Sequence, residues 1–237
     1  MNADSDAEIS VAGPAEGEFR WILTVPEQRH RRRLGSMLDR AVQRIDTDSI
    51  AQLWIENVHE TDDSLVAELG FVPYRDLWQL RCDLPAPASA ITTRGFEPAD
   101  LDELVAVNNR AFHWHPEQGG RTADDLARIM AEPWFDPDGL RVHRIADRLA
   151  GFCWTKIHAE TLPPLGEIYV IAVDPDFHGR GLGVPMTLAG LDWLADHGLR
   201  HGMLYVEADN DAANATYERI GFRLHQINRA YRRDSRP

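Results

Sequence analysis

An α/β fold built from two copies of one strand–helix order is predicted for this 237-residue chain by three observations. A strand-type apolar run, Glu167-Ile-Tyr-Val-Ile-Ala-Val173, breaks at Asp174-Pro175. It passes through the glycine-rich turn His178-Gly-Arg-Gly-Leu-Gly183 and enters a long amphipathic helix. The order strand, turn, helix, strand, helix, Gly-Phe, strand from Ile168 to the C-terminus also fits residues 19–84. Residues 140–146 and 149–158 read as antiparallel strands joined by a tight Asp147-Arg148 turn.

In order, residues 1–17 are acidic, with Gly, Pro and small side chains, and read as a loose tail. Residues 18–84 carry the first copy: strands at 19–25, 50–55 and 74–84, a helix over 37–45, and a short helix ended by Gly70. At the position of Gly181 this copy has Arg33, where a side chain crowds the backbone. Too few residues precede Phe19 to supply a first strand, two helices and two further strands, so the copy is partial and degenerate. The basic run 29–33 reads as a solvated helix entry or an anion contact. Residues 85–90 (Pro-Ala-Pro-Ala-Ser-Ala) form a linker, and residues 91–237 a complete domain. There a strand over 91–96 leads to a helix over 97–109, then a loop, and a helix capped by Thr122. After the antiparallel pair come the Glu167 strand, a helix over 183–197, a strand over 203–206, a helix over 212–220 and a closing strand over 222–232. Pro185 falls in the first turn of its helix, where no intrahelical donor is lost.

The formal net charge is −13, which argues against nucleic acid as a partner and leaves any anionic cofactor to local dipoles and a few arginines. No apolar run is long enough to span a bilayer. The start has no basic-then-apolar pattern of a signal peptide. Cys82 and Cys153 are far apart in strand-like surroundings, which fits buried reduced thiols in a cytoplasmic protein. His113, His115 and Glu117, crowded around a proline with no cysteine nearby, suit tetrahedral metal binding poorly, so no metal is expected.

The glycine turn, followed by Tyr205-Val-Glu-Ala-Asp-Asn210 and Ala213-x-x-x-Tyr217-x-x-x-Gly221-Phe222, resembles the acyl-CoA site of the GNAT N-acyltransferase superfamily. His178 stands where the family usually has Gln or Arg. The resemblance implies a mixed, mostly antiparallel central sheet flanked by helices, with acetyl-CoA as co-substrate. His178, Gly179, Arg180, Gly181, Leu182, Gly183 and Val184 would cradle its pyrophosphate. The backbone of Ile171, Ala172 and Val173 would pair with the pantetheine arm, and Asn210 and Ala213 would complete the contacts.

Amide formation from a thioester needs a base for the amine, donors for the oxyanion and an acid for the thiolate. Glu167 is the candidate base. By a period of two it shares a face with Tyr169, Ile171 and Val173. Tyr217 is the candidate acid, where that family places its own. A solvated strand-end glutamate, a packed tyrosine and a turn that merely shapes a connection are the structural alternatives.

Residues 115–120, 132–140, 151–158 and 165–170 together are similar to the mycothiol synthase family of tandem-domain GNAT acetyltransferases. That resemblance implies acetylation of the cysteinyl amine of cysteinyl-glucosaminyl-inositol; a cytoplasmic location and a monomer are expected alongside it. Glu117, Lys156, Glu167 and Tyr205 would be the substrate contacts. A GNAT enzyme acting on another small amine or a protein N-terminus, and a non-catalytic acyl-CoA-binding protein, are the other readings.

Overall fold

The computed structural model describes residues 9–14, 18–27, 34–46, 49–114 and 118–234. Expectations resting on the basic run 29–33, Arg33, His115 and Glu117 lie outside these residues. The elements are β1 (Ser10–Ala12), β2 (Trp21–Val25), α1 (Leu34–Val42), β3 (Ala51–Ile55), α2 (Glu60–Glu68), β4 (Val72–Asp83), α3 (Leu101–Ala111), α4 (Ala123–Met130), β5 (Leu140–Ile145), β6 (Arg148–His158), β7 (Leu165–Val173), α5 (Gly183–Asp196), β8 (His201–Glu207), α6 (Asp211–Ile220) and β9 (Arg223–Arg233). They form two compact units. One holds the described residues of Met1–Gln79, Val206–Asn210 and Leu224–Pro237, the other Leu80–Tyr205 and Asp211–Arg223.

In the first unit β2 pairs in parallel with β3 along its whole length, from Trp21↔Ala51 to Val25↔Ile55. β3 pairs antiparallel with β9 through Leu53↔Tyr231. The parallel crossover requires a covering element. It is α1, whose Leu34, Leu38 and Ala41 face a core with Leu23, Leu53, Val66 and Phe71. The stretch expected to be a loose tail contributes β1, where Val11 pairs with Leu23. Ile9 and Val11 bury against that core, and this apolar contact outweighs the acidic, small-residue composition of the segment.

In the second unit the strand order is β8-β7-β6-β5. Phe152, Trp154 and Ala172 pack against Leu104 and Val107 of α3 and Leu126 of α4. The opposite face, with Cys153, Thr155 and Ile168, receives Gly190 of α5. A β-carbon at Gly190 would lie 2.4 Å from the Cys153 sulfur and 2.8 Å from Ile168 Cδ1, so the helix approaches the sheet only because this position is bare. Gly190→Ala is expected to cost about 1–3 kcal/mol through overpacking. That is a drop of roughly 2–12 °C in Tm for a chain of this size, read by thermal unfolding.

Two expectations are corrected here. Residues 91–96 do not form a strand; only an isolated bridge joins Arg94 to Val142. The two carbonyls just before the bridge are taken by side chains, Thr92 by His143 Nδ1 at 2.8 Å and Thr93 by Arg141 at 2.8 Å, so the ladder does not extend in that direction. The β5–β6 turn is centred on Ala146 and Asp147, both with positive φ (48° and 61°), one residue earlier than Asp147-Arg148. Thr122 caps α4 as expected, accepting from the Asp125 N–H at 3.1 Å while Asp125 accepts from the Thr122 N–H. Cys82 and Cys153 are free and buried, and burial pushes each thiol up to about 12.

Candidate active site

β7 pairs in parallel with β8 at Gly166↔Gly202, Glu167↔Met203 and Ile168↔Leu204, and the register of this parallel ladder ends there. On its other edge β7 continues with β6 to Val173↔Gly151. The Asp174 N–H donates to Ala150 O at 2.9 Å on the β6 side. Alternation then turns the polar backbone of Ala172 toward β6 as well and that of Ile171 and Val173 toward the opposite edge. Of the three residues expected to meet a pantetheine arm, Ile171 and Val173 therefore turn their backbone to the edge away from β6, and that of Ala172 is committed to the sheet.

A β-bulge interrupts β7. Trp154 pairs with Val170 but Thr155 with Ile168, leaving Tyr169 as the extra residue. Ile168 consequently faces α5 while Ala172, four residues on, faces α3 and α4. Glu167 thus shares its face with Val170 and Ala172. The expected common face with Ile171 and Val173 is wrong, because the period-two count runs through the bulge.

Beyond β7 the loop enters α5. Gly179 and Gly181 have φ of 77° and 72°, the left-handed region where L side chains are strained. Nothing lies within 4 Å of a β-carbon built at either, so conformation and not crowding demands glycine. His178 turns inward at Nε2, 3.1 Å from Val173 O. Arg180 is exposed, its guanidinium 5.0 Å from the Phe177 ring centre. Leu182 at the N-cap makes no side-chain cap, so the N–H groups of Gly183 and Val184 stay available to an anion, while Pro185 contributes none. The loop's root is fixed by buried Asp174, which accepts from Arg110 at 2.6 Å and 3.2 Å and from the Asp176 N–H. Burial alone would raise the Asp174 carboxyl; Arg110 and the Asp176 N–H overcome this and hold it below the usual range. Gly181→Val is expected to weaken acetyl-CoA binding about tenfold, since forcing a β-branched residue into this conformation costs about 1–2 kcal/mol. Isothermal titration with acetyl-CoA reads the change.

Tyr217 of α6 is buried with its ring edge-on to Phe222, centroids 5.7 Å apart. Burial, with a smaller push from the nearby Cys153 thiol, raises the phenol well above its ordinary range, so it carries its proton at neutral pH. Cys153 faces Gly190 of α5, which puts Tyr217 on the α5 side of the sheet and Glu167 on the other.

Glu167 is buried, not a solvated strand end. Its Oε2 lies 2.7 Å from His158 Nε2, and His158 Nδ1 lies 3.0 Å from Glu160 Oε1. Lys156, paired with Glu167 across the strands, sets its ammonium 4.7 Å from the Trp134 ring centre and 5.9 Å from that of Tyr169. A cavity of about 350 Å³ opens on this face, lined by Lys156, Tyr169, Trp134, Glu132 and Arg121 among others. Tyr205 is exposed on β8 just past the last β7–β8 pair. Asn210 directly precedes α6, and Ala213 is half-buried in its first turn.

A parallel pair that runs over three steps, a left-handed glycine loop aimed at a bare helix start and a buried phenol are brought together within one unit. The model of the Acetyltransferase (GNAT) family matches residues 104–222, half of the chain. A mycothiol acetyltransferase of Nocardia farcinica is 45% identical over 192 residues, 76% of this chain and 63% of the relative. One from Mycobacteroides abscessus is 44% identical over 89% of this chain and 73% of its own. The chain belongs to the mycothiol acetyltransferase family. It is a GNAT N-acetyltransferase. A GCN5-related N-acetyltransferase from Sphaerobacter thermophilus shares the fold at 20% identity, with a TM-score of 0.71 over 97% of this chain and 76% of that one.

Within this mycothiol acetyltransferase relative the two parallel strand pairs differ in length. The β2–β3 pair runs over five steps, whereas the β7–β8 pair runs over three. Sequence reasoning missed His158, Trp134 and Glu132. His158 had a signal, since it lies two residues beyond Lys156 on one strand and so on the same face as Glu167. Trp134 reaches the site by long-range packing that no spacing announces.

Proposed function

We propose that this chain is an acetyl-CoA-dependent N-acetyltransferase that acetylates the cysteinyl amine of cysteinyl-glucosaminyl-inositol, as a monomeric cytoplasmic enzyme. The observation that carries the reading is the 44% identity to a relative named mycothiol acetyltransferase across 89% of the chain. In this reading, backbone N–H groups of residues 178–184 and Arg180 take the pyrophosphate, and the edge at Ile171 and Val173 takes the pantetheine. An N–H on that edge polarises the acyl carbonyl as the tetrahedral oxyanion forms. Glu167 takes one proton from the acceptor ammonium, the amine lone pair attacks, and as the C–S bond breaks the departing thiolate takes the phenolic proton of Tyr217, which the second proton leaving the nitrogen replaces. Lys156 in the acceptor cavity and Tyr205 on β8 serve as hydroxyl contacts; Asn210 and Ala213 line the cofactor. No metal enters the scheme.

The test is release of free CoA thiol from acetyl-CoA in the presence of cysteinyl-glucosaminyl-inositol. Turnover with that acceptor and none with simple amines supports the assignment. Turnover with other amines alone sinks the substrate assignment and leaves a general GNAT enzyme.

A further inference from the structure

We infer that His158 and Glu167 work as one proton-accepting unit, with exposed Glu160 marking where the proton reaches water. The inference rests on the proposed role of Glu167 and deepens it. Three side chains are strung in a line by two contacts, Glu167 Oε2 to His158 Nε2 at 2.7 Å and His158 Nδ1 to Glu160 Oε1 at 3.0 Å. Side-chain exposure climbs along this line, from 10% at Glu167 through 16% at His158 to 72% at Glu160. A packing histidine has no need of a graded path from a buried carboxylate to solvent.

The chemistry demands such a path. Converting an ammonium and a thioester to an amide and a free thiol releases one net proton per turnover. The ammonium gives up two protons, and the thiolate recovers only one. A lone carboxylate of ordinary strength is a poor receptacle near pH 7, whereas an imidazole is matched to it. With the ring neutral, a proton arriving at Glu167 can pass to Nε2 and settle as imidazolium between two carboxylates. Loss of one ring proton to water on the Glu160 side restores the neutral ring. The groups facing this imidazole are Glu167 on β7, Glu160 beyond β6 and Lys156 on β6. Glu167 and then Glu160 raise its pKa, against burial and Lys156, which lower it. His158 is a positioning residue in this account, acting on substrate through Glu167.

The decisive experiment is the pH profile of kcat/KM for His158→Gln, using whichever amine the wild type acetylates. Gln can still donate to Glu167 but cannot titrate. The wild type is expected to gain activity through a midpoint above the ordinary imidazole value of about 6.5. His158→Gln should lose that limb and about 10²-fold in kcat, with the KM for acetyl-CoA unchanged. A variant keeping both the limb and the kcat overturns the inference. Should His158→Gln fail to fold, the ring of His158 is titrated by NMR in the wild type and in Glu160→Gln, an exposed change. A midpoint above about 6.5 that falls in Glu160→Gln supports the unit; a midpoint at or below that value, or one indifferent to Glu160, overturns it. A wild type inactive toward cysteinyl-glucosaminyl-inositol counts against the function proposed above and leaves this titration standing.

Discussion

Tyr217→Phe is expected to lower kcat by about 10²–10⁴-fold while leaving acetyl-CoA affinity and Tm unchanged. The ring is buried and stacked edge-on against Phe222, so phenylalanine keeps the packing and removes only the hydroxyl. The burial that raises the phenol's pKa keeps its proton in place until a thiolate develops beside it. A thiolate of ordinary pKa about 8.5 is less basic than a tyrosinate, so transfer from an undisturbed phenol would be uphill. It becomes useful when the negative charge on sulfur forms in the same water-poor space, where the charge is costly unless neutralised. Steady-state kinetics beside isothermal titration separates the two effects. Loss of cofactor binding with kcat retained would assign Tyr217 to packing.

Glu167→Gln is expected to have the second large effect, a loss of about 10²–10⁴-fold in kcat/KM. The substitution is isosteric, but it changes the partner of His158 from a carboxylate to an amide. The raised His158 pKa means the folded state holds its proton more tightly than the unfolded chain. The stabilisation from this contact is therefore complete below the ordinary histidine pKa and fades as pH rises through the raised one. Glu167→Gln should cost more stability at pH 5 than at pH 9, as read by chemical denaturation at the two pH values. Equal costs would show that His158 does not titrate against Glu167.

The elements of the second unit are largely legible because their apolar periods are strong and their ends carry local signals. Thr122 caps α4 and Pro185 lies in the first turn of α5. The glycine loop was legible for the same reason, since positive φ at Gly179 and Gly181 leaves a mark in composition. What failed depends on partners distant in sequence. The bulge at Tyr169 is a property of two strands, and it reversed the face on which Ile171 and Val173 stand relative to Glu167. The strand expected at residues 91–96 has suitable residues but loses its ladder to side chains of β5. The burial of Glu167 arises from tertiary packing, and its contact to His158 from a cross-strand diagonal. Neither can be counted along one segment.

In the proposed mechanism the opened edge of β7 and the loop before α5 hold the thioester between Glu167 on one face and Tyr217 on the other. A crystal structure of the protein soaked with acetyl-CoA tests it most directly. The account predicts the pyrophosphate on the N–H groups of residues 178–184, the pantetheine along Ile171 and Val173, and the sulfur within hydrogen-bond reach of the Tyr217 hydroxyl. A nucleotide bound elsewhere, or a Tyr217 hydroxyl turned away from the sulfur, would contradict it.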